Sequence, residues 1–273
     1  MLTQKFELPN LKTKGKKVSL TKFQYDLTDK NRGFGQLLDS KESIKKILET
    51  NILLGNINGT DDFNTENLVV NPQDKIYRIM SREKDFEAQC VVFFVRDYSG
   101  SMQGKPTEVV VTQHLLIYSW LMYQYKSNVR VRFVLHDTEA KEVKDFYTYY
   151  KSAVAGGTSV YAAYEFVADI IEKEQLAREN NIYIFHGTDG DDWEETGERA
   201  IVAIKKMLPD LSRMGVTVAK NSWTTSDSQT TVEKYINESG LVKEKSELLK
   251  LDAFSAEEAT ESRLIEGIKK LIS

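Results

Sequence analysis

The stretch "VVFFVRDYSGSM", residues 91–102, decides how this chain is read. Its first half is a continuous apolar run, the pattern of a strand covered on both faces. Its second half sets Asp97, Ser99 and Ser101 at alternate positions, with Gly100 to relax the turn. Three oxygen-bearing side chains at a strand tip suit a nucleophile, a phosphate site, a metal site or only a polar turn. The rest of the chain has to choose among them.

Downstream, strand and helix patterns alternate. Lys105 to Tyr125 predicts a long helix, with Pro106 tolerated in its first turn. "NVRVRFVLHD" from Asn128 predicts a strand, and "AKEVKDF" from Ala140 an edge strand whose lysines discourage further pairing. "GGTSVYAAYEFVADIIEKE" from Gly156 starts as a Gly-Gly turn and becomes a helix. "NIYIFHGTDG" from Asn181 is another buried strand ending in a polar turn. "ERAIVAIKKMLPDLSRMG" from Glu198 predicts a helix interrupted or bent near Pro209 and stopped by Gly215, with "VTVAKNSW" as the next strand. A helix near Val232 to Ser239 and a strand at "ELLKLDAF" follow. "SAEEATESRLIEGIKKLIS" closes the chain as an amphipathic helix, Ser255 and Glu258 forming its capping box.

This alternation predicts an α/β fold. The expected architecture is a doubly wound, mostly parallel central sheet with one antiparallel edge strand and helices on both faces. Residues 89–273 form that domain, including the C-terminal helix. Residues 1–88 form an N-terminal extension, packed on the core or partly flexible; it holds the amphipathic "KESIKKILETNILL" and the polar "GNINGTDDFNTEN".

The chain has 273 residues, 41% apolar and 29% charged, with a net charge of −4. That balance argues for neither nucleic acid nor an anionic membrane as a general partner. The most apolar window, from Val109, is broken by polar residues and falls short of the roughly 20 apolar residues of a membrane span. The first residues lack the apolar core of a signal peptide, so a cytoplasmic location is expected. A single cysteine, Cys90, and three histidines, His114, His136 and His186, leave little material for a zinc site. His136 and His186 are expected to order their neighbourhoods through hydrogen bonds, and His114 to lie in the core.

In a parallel sheet the functional crevice lies at the carboxyl ends of the strands. Three such tips carry Asp97, Ser99 and Ser101; Thr158 behind Gly156 and Gly157; and Asp189. Together they offer two carboxylates and three hydroxyls and no nitrogen or sulfur. That donor set suits a hard cation, Mg2+ or Mn2+.

These residues also resemble a known family. "DYSGSM", Thr158 in "AGGTS" and Asp189 in "HGTDGDD" are similar, in the same order, to the three loops of von Willebrand factor A domains. The resemblance implies a metal-ion-dependent adhesion site, whose open coordination position receives a carboxylate from a protein partner. A closer likeness over roughly residues 88 to 222 is to a bacterial A-domain family associated with a serine protein kinase and with stage V sporulation protein R-like proteins. Members of that family usually have Ser-Asp-Gly-Asp-Asn-Trp where this chain has Thr188 to Trp193. It implies a cytoplasmic binding module, within a kinase-associated stress or sporulation complex.

The function expected is therefore metal-dependent protein binding, with Asp97, Ser99, Ser101, Thr158 and Asp189 holding the metal and Tyr98, Asp191 and Trp193 on the partner-binding rim. Trp193 suits either a partner anchor or packing on its own loop. The alternative is a phosphatase-like hydrolase with Asp97 as nucleophile. Haloacid-dehalogenase-type chemistry wants a second Asp where Ser99 stands, "YSGSM" is no nucleophile elbow, and no Gly-x-x-x-x-Gly-Lys-Ser/Thr loop is present. No general base is evident, so the chain is not expected to be an enzyme.

Overall fold

The computed structural model describes residues 7–12, 14, 24–33, 35, 37–56, 68–81, 89–125, 128–152, 156–224 and 228–273. It divides the chain into two compact units, Val18–Asp85 on one side and Met1–Lys17 with Phe86–Ser273 on the other.

In the smaller unit, strands β1 (Gln24–Arg32), β2 (Leu37–Leu38) and β3 (Ile76–Ser81) form an antiparallel sheet in the order β1-β3-β2. Helix α1 (Ser40–Leu53) is capped by Asp39, which accepts from the Glu42 amide at 3.3 Å. Most of "GNINGTDDFNTEN" lies outside the described residues.

In the larger unit the elements are β4 (Cys90–Asp97), α2 (Lys105–Tyr125), β5 (Val129–His136), β6 (Ala140–Val143), α3 (Phe146–Lys151), α4 (Val160–Lys173), β7 (Asn181–Thr188), α5 (Glu198–Met207), β8 (Leu211–Lys220), α6 (Thr231–Glu238), α7 (Leu241–Glu244), β9 (Leu249–Ser255) and α8 (Glu261–Ile272). The strand order is β6-β5-β4-β7-β8-β9. All pairings are parallel except that of β5 with the short edge strand β6. The predicted doubly wound α/β sheet is therefore the observed one.

Alternation along β4 explains the two layers. Val91, Phe93 and Val95 pack under α4, α5, α6 and α7 with Tyr164, Val167, Ile204 and Ile236. Val92 and Phe94 face the opposite way, toward Ile117 and Leu121 of α2, Tyr149 of α3 and Ile268 of α8. Each such fully buried side chain contributes about 1.5–3 kcal/mol of apolar burial. Leu8 joins the second layer, and its amide donates to the Tyr125 hydroxyl at 2.8 Å. Such contacts group Leu8 and its neighbours with the larger unit.

Two local expectations are corrected. The helix from Glu198 does not run to Gly215: Pro209 lies in a single 3-10 turn, Leu208–Asp210, and β8 begins at Leu211. Gly215 is instead a strand residue, where an added Cβ would lie 3.2 Å from Leu271 and 3.3 Å from Phe185. Ser255 forms no capping box either, because it is the last residue of β9 and makes no capping bond; α8 is capped by Thr260, which accepts from the Arg263 amide. The capping box is formed at α6, between Thr230 and Glu233. Among the described residues no helix is long and apolar enough to cross a membrane.

Candidate metal centre

Parallel pairing of β5, β4, β7 and β8 brings their carboxyl ends to one edge of the sheet. Asp97 ends β4 fully buried, 0% exposed. One of its oxygens, Oδ1, accepts from the Ser99 amide at 2.9 Å, closing the turn, and Oδ2 accepts from the Thr188 hydroxyl at 2.9 Å. Ser99 and Ser101 share a hydrogen bond between their hydroxyls at 3.1 Å. The loop continues as a 3-10 turn, Gly100–Met102, before α2 starts.

The second loop docks on the first through the Gly100 amide, which donates to the Gly156 carbonyl at 3.0 Å. Gly156 has a φ of +99°, and a Cβ there would lie 2.8 Å from the Asp137 carboxylate, so glycine is required. Ser159, not Thr158, caps α4, accepting from the Ala162 amide at 3.4 Å. Thr158 is thereby released from capping. It is 4% exposed, and among the described residues its hydroxyl makes no hydrogen bond.

Asp189 follows β7, also fully buried. Its Oδ1 accepts from the Asp191 amide at 3.2 Å, and its Oδ2 from the Asn221 side-chain amide at 3.1 Å. In front of these groups lies an open cleft of about 380 Å³, lined by Gly100, Ser101, Gly157, Thr158, Asp191 and Trp193 among others. Asp97 and Asp189 are buried and are not among the lining residues.

Electrostatics set the chemistry of the cleft. Burial pushes the Asp97 carboxyl up to about 6, against the bonds from Ser99 and Thr188. Asp189 is raised by burial and then by the Asp97 charge, with the Ser101 hydroxyl and Asn221 opposing. Asp191 is raised by burial and by Asp189. Among the described residues no lysine, arginine or histidine forms an ion pair with Asp97 or Asp189. Two buried carboxylates without a cationic partner are costly unless a cation is supplied. No group of three or more His, Cys, Asp and Glu side chains able to hold a metal occurs among the described residues. The donors here are mainly hydroxyls, and the set fits a hard divalent ion that keeps part of its water.

The rim residues divide. Trp193 is 71% exposed, and its amide donates to the Thr158 carbonyl at 3.2 Å. Its indole lies directly against Gly157, where a Cβ would fall 1.9 Å from Cζ2. Packing on the loop and exposure to solvent thus coexist. Asp191 is exposed at the cleft. Tyr98 is half-buried: its amide donates to the His136 carbonyl at 2.9 Å and its ring lies under Lys141 Nζ at 4.9 Å, away from the cleft lining.

Thr188 and Asn221 support the site without having been expected to. Thr188 read as the last residue of a strand; the signal for Asn221 was its place at the tip of the next parallel strand. The histidines lie beneath. His136 Nε2 and His186 Nε2 are 2.9 Å apart, and His186 Nδ1 pairs with the Tyr164 hydroxyl at 2.8 Å. His114 Nδ1 pairs with the Tyr149 hydroxyl at 2.7 Å, leaving Nε2 without a partner.

With this geometry in hand, similar proteins can be compared. A family described as "Protein of unknown function (DUF444)" matches residues 57–247. A UPF0229 protein of Ruminiclostridium cellulolyticum is 34% identical over 134 residues, 49% of this chain and 33% of the relative. A UPF0229 protein of Serratia proteamaculans is 30% identical over 199 residues, 72% of this chain and 44% of the relative. The chain therefore spans between a third and a half of the length of these curated relatives. Among solved structures, the manganese-loaded TRAP protein of Plasmodium vivax is similar with a TM-score of 0.40 and 17% identity, over 47% of this chain and 56% of that one. The pilus adhesin SpaC of Lactobacillus rhamnosus GG is similar with a TM-score of 0.48 and 15% identity, over 68% and 31% respectively.

Proposed function

This chain belongs to the DUF444 family of proteins of unknown function, and from that premise we propose that its larger unit is a metal-ion-dependent protein-binding module. Asp97, Ser99, Ser101, Thr158 and Asp189 hold Mg2+ or Mn2+, directly or through water. A carboxylate from a protein partner completes the coordination. The observation that carries this reading is two buried carboxylates that form no ion pair among the described residues, beside a Thr158 hydroxyl that makes no hydrogen bond among them, at an open cleft.

Binding is favoured over phosphatase-like hydrolysis by the state of Asp97. A nucleophile needs a free oxygen within reach of substrate. Each oxygen of Asp97 already accepts a hydrogen bond, from Ser99 or Thr188, which lowers its nucleophilicity but leaves lone pairs for a cation, directly or through water.

The test is affinity capture from native bacterial lysate, comparing Mg2+ with a chelator. Proteins retained only in Mg2+ are expected, and the family resemblance makes a serine protein kinase-associated complex of the cytoplasm the first to look for. Identical captures in both conditions would overturn the adhesion reading.

A further inference from the structure

The rim of this cleft carries a charge pattern that narrows the partner. From Asp189 to Glu198 the chain holds six carboxylates and no lysine or arginine. Some are engaged: Asp192 accepts from the Val160 and Glu194 amides and the Tyr235 hydroxyl, and Glu194 accepts from the Arg199 amide. Asp191, Glu195 and Glu198 remain exposed. The nearby Arg199 guanidinium is already stacked on Tyr161 at 3.7 Å.

An acidic segment approaching the Thr158 hydroxyl therefore meets the exposed Asp191 carboxylate, which lines the same cleft, and like charges there are poorly screened over short separations. A basic residue beside the incoming carboxylate reverses that interaction. The structure also offers it a seat. Trp193 presents an exposed indole, packed against Gly157 and tied by its amide to the Thr158 carbonyl, so the ring and Thr158 line the same cleft. Cations bind over the faces of such rings.

We infer that the segment captured here is zwitterionic: a carboxylate for the metal, with a lysine or arginine one or two residues away whose cation rests on Trp193. The spacing is short because Trp193 and Thr158 line one cleft and are joined by the Trp193 amide, and an extended chain advances at most about 3.6 Å per residue. This inference rests on the metal-dependent reading above and names the chemistry of its partner.

The experiment uses two capped peptides, Gly-Lys-Glu-Lys-Gly and Gly-Ser-Glu-Ser-Gly, titrated calorimetrically into the full chain in Mg2+. Mg2+ titrations on every variant report separately whether the metal site survives. The lysine peptide is expected to bind roughly threefold to tenfold tighter at low salt, by cation–π contact and charge. That preference should fall to near unity in Trp193→Ala, and shrink in the Asp191→Asn, Glu195→Gln double variant. Equal affinities, no binding of either peptide, or a preference that survives Trp193→Ala would overturn the inference while Mg2+ binding stands. Absence of Mg2+ binding to the unaltered chain would overturn the metal reading and this inference with it.

Discussion

The two ends of β7 carry buried polar residues in opposite circumstances. At its start, Asn181 is saturated. Its side-chain amide donates to the Lys12 carbonyl at 2.7 Å and the Gln89 carbonyl at 3.3 Å, while Oδ1 accepts from the Lys12 amide and the Ser212 hydroxyl. Just past its far end, Asp189 and its neighbours Asp97 and Thr158 are as deeply buried, but each carboxylate oxygen accepts a single hydrogen bond and the Thr158 hydroxyl makes none among the described residues. Depth alone does not separate a structural polar group from a functional one; the completeness of its bonding does.

This contrast is broken most severely by Asp97→Ala. Removing that carboxylate should lower Mg2+ affinity by more than about a hundredfold, beyond detection by calorimetry for a modest site. Unchanged affinity would remove the metal assignment. At the other end, Asn181→Ala strands several buried partners and should cost about 2–3 kcal/mol in urea unfolding. Its Mg2+ affinity should remain that of the unaltered chain; a parallel loss of metal would mean the two ends are not independent.

His114 tests an intermediate case, half-satisfied but sealed away from the cleft. Burial, with the nearby Arg96 charge, pushes its pKa down to about 3. The folded value lies below the unfolded one, near 6.5. Protonation therefore favours the unfolded chain, and the contribution present above pH 6.5 is lost as pH falls toward 3. Between pH 7 and pH 5 this one residue should account for about 2 kcal/mol of lost stability. His114→Gln should reduce the loss by that amount in paired unfolding curves; an unchanged loss would refute the assignment. The smallest effect is expected of Thr158→Val, which keeps shape and deletes a hydroxyl that makes no hydrogen bond among the described residues. Stability should hold while Mg2+ affinity drops about tenfold, a change of about 1.4 kcal/mol.

Much of this was legible in the sequence, because apolar runs and amphipathic periods report burial directly. Val91 to Val95 announced a strand covered on both faces, and the three polar tips announced one edge. Less legible were features that depend on tertiary surroundings. Ser255–Glu258 and Thr230–Glu233 have the same capping signature, yet Ser255 is claimed by β9 and only the second pair forms a cap. The start of β8 was hidden because "LSRMG" continues a plausible helix, although Pro209 had already ended it. Asn221 bonds Asp189 across 32 residues, a distance no local pattern spans.

The adjacency of Thr158 and Ser159 has one more consequence. Both side chains are hydroxyls and both are good helix caps, so chemistry alone would let them exchange roles. Backbone register tells them apart: the Trp193 amide is bonded to the Thr158 carbonyl, and the Ser159 amide to the Asp137 carbonyl at 2.6 Å. A one-residue deletion in this loop would thus offer the cleft a serine in place of the threonine, keeping the hydroxyl and discarding the docking around it. The loop is intolerant in length, as it is at Gly156 and Gly157 in composition.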